Sequence, residues 1–246
     1  MHEEIISATD VTLTYRVVHG ASSSMKESAL NFLQRRISTT DFTALNNLSF
    51  TLNRGETLAV IGRNGAGKST LLKVLARVLP PTKGRVIVRG SVAPMIELGA
   101  GFNPELTGNE NAILYSAILG RDINVVKQRL GEIAEWAGIA DHMDLPIRTF
   151  SSGMIARLAF AIATDKVPDL LLVDEVLSVG DAEFQEKSSL RMRELMAQDT
   201  GVILVTHNLE TARKLATRAL WLERGSVAAM GDVDMVVDSY LKHYKG

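Results

Sequence analysis

Gly62-Arg63-Asn64-Gly65-Ala66-Gly67-Lys68-Ser69 is the stretch on which the reading of the chain turns. It follows an apolar run, Leu58-Ala59-Val60-Ile61, and precedes a helical pattern, Thr70-Leu71-Leu72-Lys73-Val74-Leu75. A strand, a glycine-rich turn and a helix at the spacing G-x-x-x-x-G-K-S/T predict a phosphate-binding loop. Gly62, Gly65 and Gly67 let the backbone turn tightly and aim several N–H groups at one anion. The helix behind them adds the positive end of its dipole. Lys68 is placed to neutralise the β and γ phosphates of a nucleotide, and the Ser69 hydroxyl to reach a bound Mg²⁺. At ordinary glycine frequency the bare pattern arises by chance in roughly one chain in a hundred of this length. The strand before it and the helix after it argue against a mere glycine-rich turn.

The rest of the composition is that of an ordinary globular protein. The chain has 246 residues, 46% hydrophobic and 22% charged, enough for one large domain or one core with an inserted subdomain. Its 27 basic and 28 acidic residues leave a net charge of −1. Charge alone therefore holds neither nucleic acid nor an anionic bilayer. The absence of cysteine excludes a disulfide scaffold, Cys-ligated zinc and thiol catalysis. No apolar run approaches the roughly 18 residues of a membrane-spanning helix. Met1-His2-Glu3-Glu4 has no apolar signal core behind it. The expectation is a protein kept inside the cell that meets a membrane only through a partner.

Two further runs, Leu170-Leu171-Leu172-Val173 and Val202-Ile203-Leu204-Val205, share the character of Leu58–Ile61. Continuous apolar strands of this kind suit the middle of a parallel sheet buried on both faces, so the core is expected to be α/β. Residues 9–15 alternate, with Val11, Leu13 and Tyr15 on one side, and predict a half-buried strand. Leu45 to Leu52 predicts another strand. Between them, 19–42 reads as an insertion. Ser24 and Glu27 mark a helix start, and Leu30, Leu33 and Ile37 repeat at helical spacing. That amphipathic helix either packs on its own core or docks a partner. Residues of about 103–165 read as an inserted helical subdomain: Thr107 and Glu110 form a capping box, and Val126, Leu130, Ile133, Ala134 and Ala137 make a helix closed by Gly138. Ala219–Glu223 and Ser226–Met230 flank Arg224-Gly225 as a hairpin, and a last helix carries Val236, Val237 and Tyr240.

Asp174 and Glu175 stand at the carboxyl end of the second apolar run, where ligands sit in open α/β sheets. Asp174 is expected to hold Mg²⁺ through water, and Glu175 to orient or deprotonate an attacking water. Taken alone, the pair could merely end a strand; beside the phosphate loop it reads as chemistry. His207, after Thr206 at the end of the third run, can donate to a γ-phosphate oxygen.

Phe150-Ser151-Ser152-Gly153-Met154 opens a helix, Ile155 to Ala163, and a small-residue helix N-terminus suits an anion. Read in order with the phosphate loop, the carboxylate pair and His207, it resembles the signature sequence of ABC-type ATPases, and Ser178-Val179-Gly180-Asp181 resembles their D-loop. The resemblance covers almost the whole chain. It is closer to the ATP-binding subunits of bacterial polysaccharide and teichoic-acid exporters, through Glu97-Leu98-Gly99-Ala100-Gly101-Phe102, Leu106-Thr107-Gly108-Asn109-Glu110-Asn111 and Glu175-Val176-Leu177-Ser178-Val179-Gly180-Asp181. The insertion at 19–42 is similar to one in that group.

The resemblance implies one ABC ATPase domain over 1–246, with a RecA-like mixed-sheet core, an antiparallel β subdomain and the inserted helical subdomain. It implies ATP bound by Gly62, Asn64, Gly65, Ala66, Gly67, Lys68, Ser69 and Thr70, with catalysis by Lys68, Glu175 and His207 and Mg²⁺ on Ser69 and Asp174. Ser151, Ser152, Gly153 and Asp181 would touch nucleotide from a second copy in an ATP-dependent homodimer. Ser152 and Met154 stand where ABC proteins at large have Gly and Gln, a departure the exporter subgroup shares. No glutamine occupies the Q-loop position, and Glu97 is the nearest metal-ligand candidate. The adenine-stacking aromatic is Tyr15, with Phe42 as its competitor. The implied partner is a polytopic permease moving O-antigen, capsule, teichoic acid or a related lipid-linked glycan, with the ATPase peripheral on the cytoplasmic face of the inner (plasma) membrane. Some such ATPases carry a further carbohydrate-binding domain; the chain stops at Gly246, too soon for one, so either the system does not read the glycan end this way or the chain is truncated, and direct glycan binding by the residues present is not expected. Alternative readings are an importer subunit, a soluble ABC ATPase acting on nucleic acid or ribosomes, or a nucleotide-binding scaffold without turnover. The soluble ATPases usually add a coiled coil or a second nucleotide domain, and neither is legible here. No nucleic-acid partner is expected.

Overall fold

The computed structural model describes residues 3–19, 38–96, 98–174 and 181–245. Among these residues two sheets carry the fold. The first is antiparallel, in the order β2-β1-β4, from β1 (Glu4–His19), β2 (Ser38–Asn53) and β4 (Lys83–Val88). Its inward residues Ile6, Val11, Leu13, Leu45, Leu48 and Leu52 are buried, as alternation requires of a half-buried sheet. The second has six strands in the order β5-β6-β7-β3-β8-β9. These are β3 (Thr57–Ile61), β5 (Val92–Met95), β6 (Leu170–Val173), β7 (Gly201–Val205), β8 (Arg218–Glu223) and β9 (Ser226–Asp232). All neighbours are parallel except β8 and β9. The three apolar runs lie side by side as β6, β7 and β3, the burial their composition demanded.

Between β5 and β6 the chain leaves the sheet to build a helical unit. It consists of α2 (Gly108–Ile118), α3 (Ile123–Ala137) and α4 (Ser152–Thr164). The Thr107 capping box is complete, and Gly138 ends α3 at φ 65°, the left-handed C-cap that glycine favours. Tyr115, Ile133, Ile147, Leu158 and Ile162 form a separate core there. α4 belongs to both bodies. Its Phe160 and Ala163 pack against Leu171 and Val173 of the sheet, and Trp136 stacks on Phe160 at 5.6 Å. Truncating a buried phenylalanine of this kind costs about 3–5 kcal/mol, so Phe160 pins the helical unit to the sheet.

The remaining helices are α1 (Lys68–Leu75), α5 (Ala182–Met196), α6 (Leu209–Leu215) and α7 (Val233–Lys245). One boundary differs from the sequence expectation. His19 and Ser38–Phe42, placed in an insertion over 19–42, are strand residues. β1 and β2 stay paired out to His19 opposite Ser38, because a two-stranded ladder goes on wherever its backbone groups can pair. The amphipathic helix carrying Leu30, Leu33 and Ile37 lies outside the described residues, as do Glu97 and Glu175–Gly180.

Candidate active site

The phosphate loop begins where β3 ends and closes on α1, whose N-cap is Gly67 at φ 105°. Its shape is imposed from behind. A Cβ on Gly62 would stand 2.3 Å from the Leu222 carbonyl oxygen, and one on Gly67 would stand 2.6 Å from that of Ala44. No side chain fits at either position. A Cβ on Gly65 would meet nothing within 4 Å, so the front of the loop stands open. The turn between β8 and β9 braces the underside, the Gly225 N–H donating to the Ala66 carbonyl at 3.0 Å. The Lys68 ammonium folds back over the loop and donates to the Gly62 and Arg63 carbonyls at 2.7 and 3.0 Å. The loop and its lysine border one volume, an arrangement that suits a phosphate chain.

That volume is a cleft of ≈ 520 Å³ bordered by Asn64, Gly65, Gly67, Lys68, Ser69 and Thr70, together with Asp174, Val205 and His207. Strand order explains the gathering. β6, β7 and β3 are parallel neighbours, so Asp174, His207 and the loop all emerge at the same carboxyl edge. His207 is exposed between β7 and α6, and Asn208 beside it caps α6 by accepting from the Glu210 and Thr211 N–H groups. Gly62 and Ala66 border a second cleft of ≈ 760 Å³, which shares Asn64, Gly65 and His207 with the first.

Ser69 and Asp174 present hard oxygen donors to the same cleft. Among the described residues no group of three or more His, Asp or Glu could hold a metal by itself. A Mg²⁺ ion, which keeps several waters and shares phosphate oxygens, fits a hydroxyl and a carboxylate placed beside a phosphate cradle. Of the two aromatic candidates, Phe42 borders the cleft and is 57% exposed. Tyr15 lies opposite it in the β1–β2 register and is not in the cleft wall. Ala44 and Val205 complete that wall; neither side chain carries chemistry, so no sequence signal marks them. Glu97 and Glu175 fall outside the described residues.

The signature residues are elsewhere. Ser151 caps α4, its Oγ accepting from the Met154 N–H at 3.2 Å. Ser151 and Ser152 are exposed, and the nearest atom to a Cβ on Gly153 would be Ser151 Oγ at 3.8 Å. None of the three borders the phosphate cleft of its own chain. Asp181 caps α5 by accepting from the Phe184 N–H at 3.0 Å. Its other oxygen lies 3.8 Å from Arg157 of α4, which ties the signature helix to α5.

Residues 45–178 match the family model described as ABC transporter. The O-antigen export system ATP-binding protein RfbB of Klebsiella pneumoniae is 39% identical over 244 residues, covering 97% of this chain and 98% of that protein. The O-antigen export system ATP-binding protein RfbE of Yersinia enterocolitica is 40% identical over 229 residues, 89% of this chain and 94% of its own. The teichoic acids export ATP-binding protein TagH of Shouchella clausii is 37% identical over 232 residues, 94% of this chain and 64% of its own. A solved ATP binding subunit of an ABC transporter shares the fold, with a TM-score of 0.71 at 23% identity, covering 96% of this chain and 93% of that one. With its phosphate loop, strand-end carboxylate and histidine gathered in one cleft, the chain belongs to the ABC transporter family, beside the ATP-binding proteins of O-antigen and teichoic-acid export.

Proposed function

We propose that this chain is the ATP-binding and ATP-hydrolysing subunit of an exporter that moves a lipid-linked polysaccharide (O-antigen, capsule, teichoic acid or a related glycan) through a separate membrane subunit. The observation that carries the proposal is the cleft joining Lys68, Ser69, Asp174 and His207, in a chain similar from end to end to an O-antigen export ATP-binding protein. No helix among the described residues is long and apolar enough to cross a membrane. That agrees with a peripheral subunit held at the cytoplasmic face of the inner membrane by a polytopic permease.

The roles follow from chemistry. Lys68 and the loop amides hold the β and γ phosphates, stabilising the charge that builds on them during transfer. Ser69, and Asp174 through water, would hold Mg²⁺, which would supply charge neutralisation at the phosphate oxygens. Glu175, the residue after Asp174, orients a water and takes its proton as the water oxygen attacks the γ phosphorus. The bond from that phosphorus to the β–γ bridging oxygen breaks, leaving ADP and inorganic phosphate. His207 donates to a γ-phosphate oxygen. Adenine stacks on an aromatic of the β1–β2 hairpin, Tyr15 or Phe42.

The signature N-terminus does not border its own chain's cleft, which supports a head-to-tail pair. Ser151, Ser152, Gly153 and Asp181 of a second copy then close the cleft over the γ phosphate. ATP draws two chains together and hydrolysis releases them, a two-state switch set by one phosphate. Identifying the protein that copurifies with the intact chain tests the assignment. A polytopic membrane protein is expected; a membrane-free complex with nucleic acid or ribosomes would contradict it.

A further inference from the structure

The last turn of α7 reaches the phosphate loop. The Arg63 guanidinium lies over the Tyr244 ring, 5.3 Å from its centroid. Tyr244 is itself held from three sides. Its hydroxyl donates to Glu223 Oε1 at 2.9 Å, and His243 Nε2 lies 3.6 Å from the same oxygen. Its ring meets those of His243 and Tyr240 at 4.8 and 4.9 Å. Both of these pack on Trp221 of β8, at 5.2 and 5.5 Å, and Trp221 is buried. The contact is therefore anchored in the sheet, although Arg63 and Tyr244 are both exposed.

Arg63 also shapes the cradle with its backbone. Its carbonyl accepts from the Lys68 ammonium at 3.0 Å and from the Ala66 N–H at 3.1 Å. The Arg63 carbonyl is one of the groups to which the Lys68 ammonium donates, so a shift of the Arg63 backbone would move that contact. We propose that Tyr244 is a positioning residue for nucleotide binding: it holds Arg63, and through the Arg63 carbonyl it sets where the Lys68 ammonium stands. The cleft of ≈ 760 Å³ between α7 and the loop, bordered by Arg63, Arg224, His243 and Tyr244, leaves the Arg63 side chain room to swing once the ring is gone. The inference rests on the loop binding ATP, as proposed above.

An exposed cation–π contact is worth about a two- to fivefold change in an equilibrium. Tyr244→Ala and Arg63→Ala should each weaken ATP binding by about that factor, read by calorimetry on the full chain without divalent cation. The Arg63→Ala/Tyr244→Ala double variant should be no weaker than either single variant, because both remove the same contact. Tyr244→Phe keeps the ring and should restore affinity to within about twofold of the unmodified chain. In turnover, KM for ATP should rise by about the same factor, and kcat at saturating ATP should fall by no more than that factor. Met235→Ala, on the exposed outer face of the same helix, should change none of these. If the unmodified chain binds ATP but the two losses multiply in the double variant, or Tyr244→Phe is as weak as Tyr244→Ala, this inference fails and the functional proposal stands. If the unmodified chain binds no ATP, both fail.

Discussion

The phosphate loop and the N-terminus of α4 are both candidate anion sites at the start of a helix, yet they are built in opposite ways. The loop is shaped by what stands behind it: the Leu222 and Ala44 carbonyls against Gly62 and Gly67, the Gly225 amide on Ala66, and Lys68 folded over the top. The α4 terminus carries a cap of its own, Ser151 Oγ on the Met154 amide, and a Cβ on Gly153 would find that oxygen nearest, at 3.8 Å. A cradle pressed into form from behind is complete in one chain. On the proposed function, a capped helix end that does not border the phosphate cleft of its own chain is half of a site, and this difference divides the labour: one chain grips the nucleotide, and the other closes over it.

The sharpest way to break that division is on the gripping side. Lys68→Ala removes the ammonium from the cradle. ATP affinity measured by calorimetry should fall at least about tenfold, and hydrolysis by about 10²–10³, the usual loss when one preorganised charge-stabilising group is removed. Unchanged affinity would break the loop's side of the comparison. Gly153→Asp probes the closing side. The added Cβ would make no contact closer than Ser151 Oγ at 3.8 Å, and a carboxylate at a helix N-terminus does not destabilise it, so the chain should fold. Its affinity for ATP as a single chain should stay within about twofold, while hydrolysis falls at least about tenfold, because a carboxylate would face the γ phosphate of the other copy. Loss of single-chain affinity would mean that α4 serves its own cleft.

The smallest effect is expected far from both sites. Asp169 accepts from the Ser91 amide and hydroxyl at 2.7 and 2.8 Å and pairs with Arg54 at 2.7 Å, tying the turn after β2 to the starts of β5 and β6. The Ser91 amide first, and Arg54 with it, holds the Asp169 carboxyl down at about 2 against the opposing effect of burial. The folded state thus binds this proton less tightly than the unfolded chain. The tie contributes in full above about pH 4 and is lost as pH falls through about 2. Asp169→Asn should cost about 1–2 kcal/mol at neutral pH, discounted for the partial exposure of the pair. The difference in Tm from the unmodified chain should close between pH 4 and 2, with ATP affinity unchanged throughout. A gap that persists at pH 2 would remove the carboxylate from the account.

What the sequence made legible was local. The glycine spacing, the three apolar runs, the Thr107 capping box and the Gly138 stop each carry their signal within a few residues, and each stands where it was expected. What escaped depends on neighbours. β5 is four residues long with Pro94 inside it, and β4 is exposed through its first half; both are strands because β6 and β1 offer partners. α5 buries Phe184, Ser188, Met192 and Leu195, a helical seam disguised by the serine. At the site, nothing local separates Tyr15 from Phe42, since they are cross-strand partners, and only the cleft wall distinguishes them. The Tyr244–Arg63 contact joins residues 181 positions apart in the chain, beyond the reach of any local pattern.

The central claim is that one chain's cleft is closed by the signature helix of another. Its most direct test is the mass in solution of the Glu175→Gln chain with and without ATP, since that carboxylate is assigned to turnover and not to binding. The account predicts a single chain of 26.8 kDa without nucleotide and a species of about twice that mass with ATP, a change that Gly153→Asp added to the same chain abolishes. A mass that does not change with ATP, while calorimetry shows the nucleotide bound, would contradict it.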